Sequence, residues 1–240
     1  MLPLLIIISA AFGAADIGFM TVIRAVMYRA GVGNFEPSGT VELILFSIRF
    51  PRILLAAVTG AGLATAGTVF QAVFQNPLAE PYLLGVSSGA SLGATAGIIL
   101  GAGMLLGGIG SITVFAFIGA MLTIFLVLMI SGRAKGNFSG LLLGGIAIGY
   151  IFQAVITFLM MMNKDQMEQI VFWMMGSFTA ANWDKVQIAA VVVVFCIIII
   201  NINAAKLNLL SLGPDEAHSL GIDPEKTGIF FLVISCLLTA

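Results

Sequence analysis

The sequence predicts an all-α fold: a polytopic transmembrane helix bundle with about six full spans and the start of a seventh. Three observations predict it. Of 240 residues, 60% are hydrophobic and only 9% charged, and the mean hydropathy is +1.14, whereas soluble domains are about 25% charged. Charges are absent from runs long enough to cross a bilayer, about 20 residues each as helix. Those runs are continuously apolar, whereas a β-barrel strand alternates over about ten residues. Inside lipid no water satisfies backbone N–H and C=O groups, so a continuous apolar run must bond internally as a helix.

Taken in order, residues 1–15 (starting MLPLLIIISA) form a first, short span. No basic segment precedes it and no convincing A-x-A site follows, so a signal peptide is disfavoured. Over 16–33, Ile17, Met20, Ile23, Val26 and Met27 recur at helical spacing opposite Arg24 and Arg29, as in a helix lying at the interface. Residues 53–79 form the next span, with Pro51 where a helix begins. Residues 81–132 hold no charge and accommodate two spans around the glycine-rich break at 101–110. Further spans are predicted at 136–163 and 186–205, and 227–240 begins a seventh. Pro77 and Pro81 bracket one turn, and Pro214 and Pro224 bracket a polar loop. Residues 1–240 are read as one transmembrane domain.

Several function classes drop out. A net charge of −1 leaves no basic surface for nucleic acid. Cys196 and Cys236 lie in apolar runs, which argues against a disulfide framework and a zinc site. No GxxxxGK[ST] loop occurs, so the chain does not itself hydrolyse nucleotide. The single histidine, His218, stands in a polar loop beside Asp215 and Glu216, which reads as solvated rather than catalytic. No Asp or Glu falls within 53–79, 81–132, 136–163 or 186–205, against the midplane carboxylate of a proton- or sodium-coupled carrier. No enzyme, cofactor or metal site is predicted.

The remaining signals are local. Gly85, Gly89, Gly93, Gly97 and Gly101 recur every four residues, a bare stripe suited to close helix packing or to a translocation path. Arg49 and Arg52 share a helix side at the mouth of a span, as headgroup anchors or as cations offered to an acidic partner. Gln71 and Gln75 share a face before Asn76-Pro77 ends their helix. Gly213-Pro214 stops one element, and Pro214-Asp215-Glu216 opens a short helix with acids in its first turn and an apolar edge of Ala217, Leu220 and Ile222.

Together these motifs resemble the FecCD-type permease subunits of binding-protein-dependent ABC importers for iron-siderophores, haem and cobalamin. The resemblance rests on RFPRILLAAVTGAGLATAGTVFQAVFQNPLAEPYLLGVSSGASLGA (49–94), then LLLGGIAIG (141–149), FWMMGSF (172–178) and LGPDEAHSLG (212–221), in order and correctly separated. It implies that Arg49 and Arg52 dock the extracytoplasmic substrate-binding protein. It implies too that 212–221 is the coupling helix on a separate ABC ATPase, contacting it through Asp215, Glu216, Ala217 and Leu220. The turn at 133–140 resembles the cytoplasmic gate, with Ser139 the best match, and Gly145, Gly149 and Phe152 would face the central pathway. A second permease copy, homo- or heterodimeric, completes the pathway within the cell membrane. Phe152, Trp173 and Met160–Met162 would either touch a bulky ligand or pack the core.

The implied topology places the amino end, 75–81, 133–137 and 206–226 inside, and 28–52 and 163–185 outside. The basic residues run the other way: Arg29, Arg49, Arg52, Lys164 and Lys185 fall outside, against Arg133, Lys135, Lys206 and Lys226 inside. Relative to the family, the chain is expected to lack the C-terminal helices, and the alternative function is a shortened, non-transporting membrane scaffold.

Overall fold

A computed structural model describes residues 2–32, 37–105, 109–131 and 138–240, and among them every regular element is helical. The chain forms two compact units, residues 1–61 with 177–194, and residues 62–176 with 195–240.

In the first unit, helix Leu2–Ala11 and helix Phe19–Arg29 pack with the start of a long helix around Ala10, Ile17, Val22, Ala25, Leu45 and Phe50. The side of helix 19–29 packed within the unit is not its apolar face, which the interfacial reading leaves to lipid. Val22 and Ala25 are fully buried, while Met20 and Met27 are exposed. Periodicity defined an apolar arc, and packing used only its edge. The long helix also departs from the sequence reading, which starts a helix at Pro51. Helical structure instead runs from Gly39 to Phe74, passing through a π-helical stretch at Leu43–Arg49. A proline inside an α-helix lacks the N–H for the carbonyl four residues back and its ring collides with that carbonyl. Widening the preceding turn accommodates both, which explains why the π geometry ends just before Pro51.

In the second unit, the helix reaching Phe74 is followed by a 3-10 turn at Pro81–Leu84 and helices Val86–Ile99, Ile109–Ser131, Phe138–Met162, Met167–Met175, Ala204–Leu210, Pro214–Ser219 and Pro224–Thr239. Val69, Phe70, Val73, Leu84, Val127, Leu141, Leu207, Leu210, Ala217 and Phe231 meet in one buried cluster. Ala94, Ile98, Ile112, Ala116 and Ile170 form another, against which Met160 and Trp173 pack.

Among the described residues, four helices are long and apolar enough to cross a membrane: Gly39–Phe74, Gly110–Ile130, Gly140–Met162 and Trp183–Ile202. Helices 2–11, 86–99 and 224–239 are shorter, at 10, 14 and 16 residues. At a rise of about 1.5 Å per residue, a 30 Å hydrocarbon core needs roughly 20. The outer faces of helices 109–131 and 183–202 expose Ile118, Leu122, Phe125, Ile188, Val191 and Phe195. Such faces are stable only with lipid or another helix as solvent.

Candidate functional site

Three groups of residues singled out in the sequence occupy distinct surroundings. Arg49 is only 8% exposed. Its Nη1 donates to the carbonyls of Ala10 (2.6 Å) and Ala11 (3.2 Å), and its Nη2 donates to Ala15. Ala10 and Ala11 end helix 2–11, where the last carbonyls have no intrahelical donor and the helix dipole favours a cation. The guanidinium therefore caps that helix, and Gly13 makes room for it: a Cβ there would lie 2.7 Å from Nη2. The surface presentation expected of Arg49 is not found. Arg52 is half-buried, with Nη2 donating to the Thr179 carbonyl (3.0 Å). Its Nε is buried without a hydrogen-bond partner among the described residues.

Beside them lies a cleft of about 370 Å³ lined by Arg29, Glu42, Phe46, Ser47 and Trp183. Arg29 bonds Glu42 at 2.9 Å and lies 4.6 Å from the Phe46 ring centre, while Trp183 Nε1 donates to the Phe46 carbonyl at 2.8 Å. The two charges satisfy each other, so among the described residues the cleft offers no unpaired cation to a ligand.

The glycine ladder splits into three environments. Gly89 and Gly93 press backbone to backbone on helix 109–131, at Gly119 and Phe115, and Gly97 meets the Phe115 ring. Gly85 (φ +72) precedes helix 86–99 and lies against Gly145 and Gly149. Gly101 (φ +65) turns the chain with open space around it. Gly145 is buried, a Cβ there falling 2.6 Å from the Leu84 Cα, and Phe152 packs on the central cluster. Gly145, Gly149 and Phe152 therefore all have close neighbours within this unit. On the same helix Tyr150 (75% exposed), Gln153 and Thr157 stand exposed in an i, i+3, i+7 row. Ser139 lies in the first turn of this helix, but its side chain and residues 132–137 fall outside the described residues.

The acidic loop folds as anticipated into a short helix, Pro214–Ser219, with Pro at its first position and Asp215 and Glu216 in its first turn. Gly221 (φ +84) closes it: the Ile222 N–H reaches the Ala217 carbonyl and the Gly221 N–H that of His218, the bond pair of a Schellman end. Ala217 is fully buried in the central cluster, so it seats the helix and has no surface for a partner, contrary to the contacting role expected of it. Asp215, Glu216 and Leu220 (58% exposed) point away.

A model of the FecCD transport family matches residues 1–240. The chain belongs to that family. It is 34% identical over 237 residues to the hemin transport system permease protein HmuU of Yersinia pestis, covering 98% of this chain and 70% of the relative. It is 35% identical over 208 residues to the cobalamin import system permease protein BtuC of Halobacterium salinarum, covering 86% of this chain and 55% of the relative. A solved structure described as an inward-facing conformation of a metal-chelate type ABC transporter superposes with a TM-score of 0.82 at 29% identity, over 99% of this chain and 70% of that one. The chain thus spans between about half and seven-tenths of the length of these proteins. The relatives are named as transport permease subunits, which are not themselves enzymes.

Within this FecCD chain, the sequence showed Gln75 only as sharing a face with Gln71, not its backbone or its long-range bond, and the Tyr150–Gln153–Thr157 row was missed. Gln75 is the one non-glycine residue with positive φ (+50) among the described residues, and its Nε2 donates to the Leu210 carbonyl at 3.1 Å. A left-handed residue has no sequence signature unless it is Gly or Asn. Polar residues spaced along helix 138–162 were available as a signal, but the glycines drew the face assignment.

Proposed function

We propose that this chain is the membrane permease of an ABC importer that passes a metal chelate, an iron-siderophore or haem, into the cytoplasm. Helix 214–219 would couple it to a separate ATPase, and a second permease copy would complete the pathway. The observation that carries the reading is the orientation of that helix. One residue, Ala217, anchors it in the core, while two carboxylates and Leu220 are displayed where a protein groove would receive them. A rigidly seated short helix transmits displacement, which a flexible acidic loop would dissipate.

In this reading residues 75–81 and 206–226 face the cytoplasm and 163–185 the exterior, with about six spans crossing the membrane. Arg52, half-buried at the start of helix 50–74, docks the extracytoplasmic binding protein, while Arg49 fixes the local backbone. The row Tyr150, Gln153 and Thr157 supports a water-lined pathway on the exposed face of helix 138–162, because a lipid-facing surface has no use for a polar row. The substrate class rests on relatives named for hemin and cobalamin and on a neighbour described as metal-chelate type.

Pull-down of the purified chain with its cognate ATPase tests the reading. Asp215→Arg, Glu216→Arg and Leu220→Ala are each expected to lower ATPase retention at least tenfold without altering the thermal unfolding of the chain. Retention unchanged in all three removes the coupling assignment.

A further inference from the structure

The end of helix 50–74 meets the base of helix 214–219 at one residue whose backbone is unusual. Gln75 adopts φ +50, a region that glycine and asparagine occupy with least strain. Either of those would end the helix more comfortably, yet neither carries an amide far enough to reach Leu210. The Gln75 Nε2–H donates to the Leu210 carbonyl at 3.1 Å, across 135 positions of sequence. That carbonyl also accepts the Gly213 N–H at 3.2 Å, so both of its lone pairs are committed in the turn that launches helix 214–219. Gly213 itself has φ +132, and a Cβ there would collide with the Glu216 carboxylate and come within 4.0 Å of Gln75 Nε2. Beneath the turn, Phe70, Val73, Leu207, Leu210 and Ala217 share one buried cluster. Apolar contact holds these elements together without direction, whereas a hydrogen bond fixes their register.

We propose that Gln75 is a positioning residue that ties the turn 211–213 to the end of helix 50–74, so that force applied to helix 214–219 reaches that helix. This deepens the coupling reading of helix 214–219 and rests on it. The residue is exposed, so the bond contributes little to overall stability and its loss leaves the fold intact. Its role is to fix the direction in which displacement of the short helix is delivered.

Amide hydrogen exchange of the reconstituted chain, with and without its cognate ATPase, tests this without knowledge of the transported substrate. In the wild type, ATPase binding is expected to slow exchange at least tenfold in 212–221, where it touches, and also in the last turn of helix 50–74 and at Asn76, whose N–H bonds the Gln71 carbonyl. Gln75→Asn accommodates the left-handed backbone but is one methylene too short, and Gln75→Gly removes the side chain and the strain together. Both are expected to keep the protection of 212–221 while that at 71–76 falls below twofold. Gln75→Arg, a longer donor, is expected to restore it. Full protection at 71–76 in the Asn and Gly variants, no protection there in the wild type, or failure of the Arg variant to restore it each overturns the proposal alone. Absence of protection in 212–221 of the wild type overturns the coupling reading beneath it as well.

Discussion

Replacing Arg49 by Gln separates two accounts of the same residue. Helix 2–11 is 10 residues long, too short to persist on its own propensity. Its end is held by a single guanidinium spread over the carbonyls of Ala10, Ala11 and Ala15. Hydrogen bonds from a charged donor contribute about 1.5–3 kcal/mol each, but three from one group are not additive. About 3 kcal/mol for the set is a reasonable central value, and at about 1.4 kcal/mol per tenfold this corresponds to a change of roughly 100-fold in local opening. Amide exchange in the second half of helix 2–11, followed in lipid nanodiscs, is therefore expected to accelerate about 100-fold. Exchange in helix 138–162, in the other compact unit, should not move. Arg49→Lys should fall between, since one ammonium cannot serve three carbonyls in the plane a guanidinium spans. If exchange in helix 2–11 stays within threefold of wild type while affinity for the binding protein collapses, Arg49 is a docking group and the clamp argument fails.

Three further outcomes follow from the same geometry. Gly93→Ala drives a methyl into the Phe115 carbonyl and should destabilise the chain by about 1–3 kcal/mol in detergent unfolding, whereas Gly110→Ala, with open space around it, should be neutral. A cysteine at Thr157 should react with a water-soluble maleimide at least tenfold faster in vesicles than one at Phe125; equal rates would place the polar row in lipid. Asp223 caps helix 224–239: its carboxylate accepts the Lys226 backbone N–H at 3.1 Å and pairs with the Lys226 ammonium at 3.0 Å, which holds its pKa below the ordinary aspartate value. A depressed folded-state pKa contributes stability that is complete above the unfolded value and is lost as pH falls through the folded one. The Asp223→Asn variant should therefore differ from wild type at pH 7 and converge on it below about pH 4, as read by amide exchange at the start of that helix.

Much of the fold was legible because lipid imposes a strong one-dimensional rule: where charges stop, a helix begins. The predicted runs at 136–163 and 186–205 became helices 138–162 and 183–202, and Gly213-Pro214 placed helix 214–219. The same rule could not see Pro51 inside a helix, because sequence shows the missing N–H but not the π-widened turn that tolerates it. Nor could it orient helix 19–29, whose apolar arc is wider than the strip the core accepts.

What the sequence determined by itself is the class of the chain: helical, with runs apolar enough to cross a membrane, and patterned like a FecCD permease. Those are consequences of composition, charge spacing and local motifs, each readable along one dimension. Tertiary structure decided which face each residue serves. It turned Ala217 inward and Leu220 outward, buried Arg49 while leaving a donor of Arg52 unspent, and set Gly145 against Leu84 and Gly149 against Gly85. Neighbours distant in sequence make those choices, since a helix fixes the angles between its side chains but not which angle meets the core.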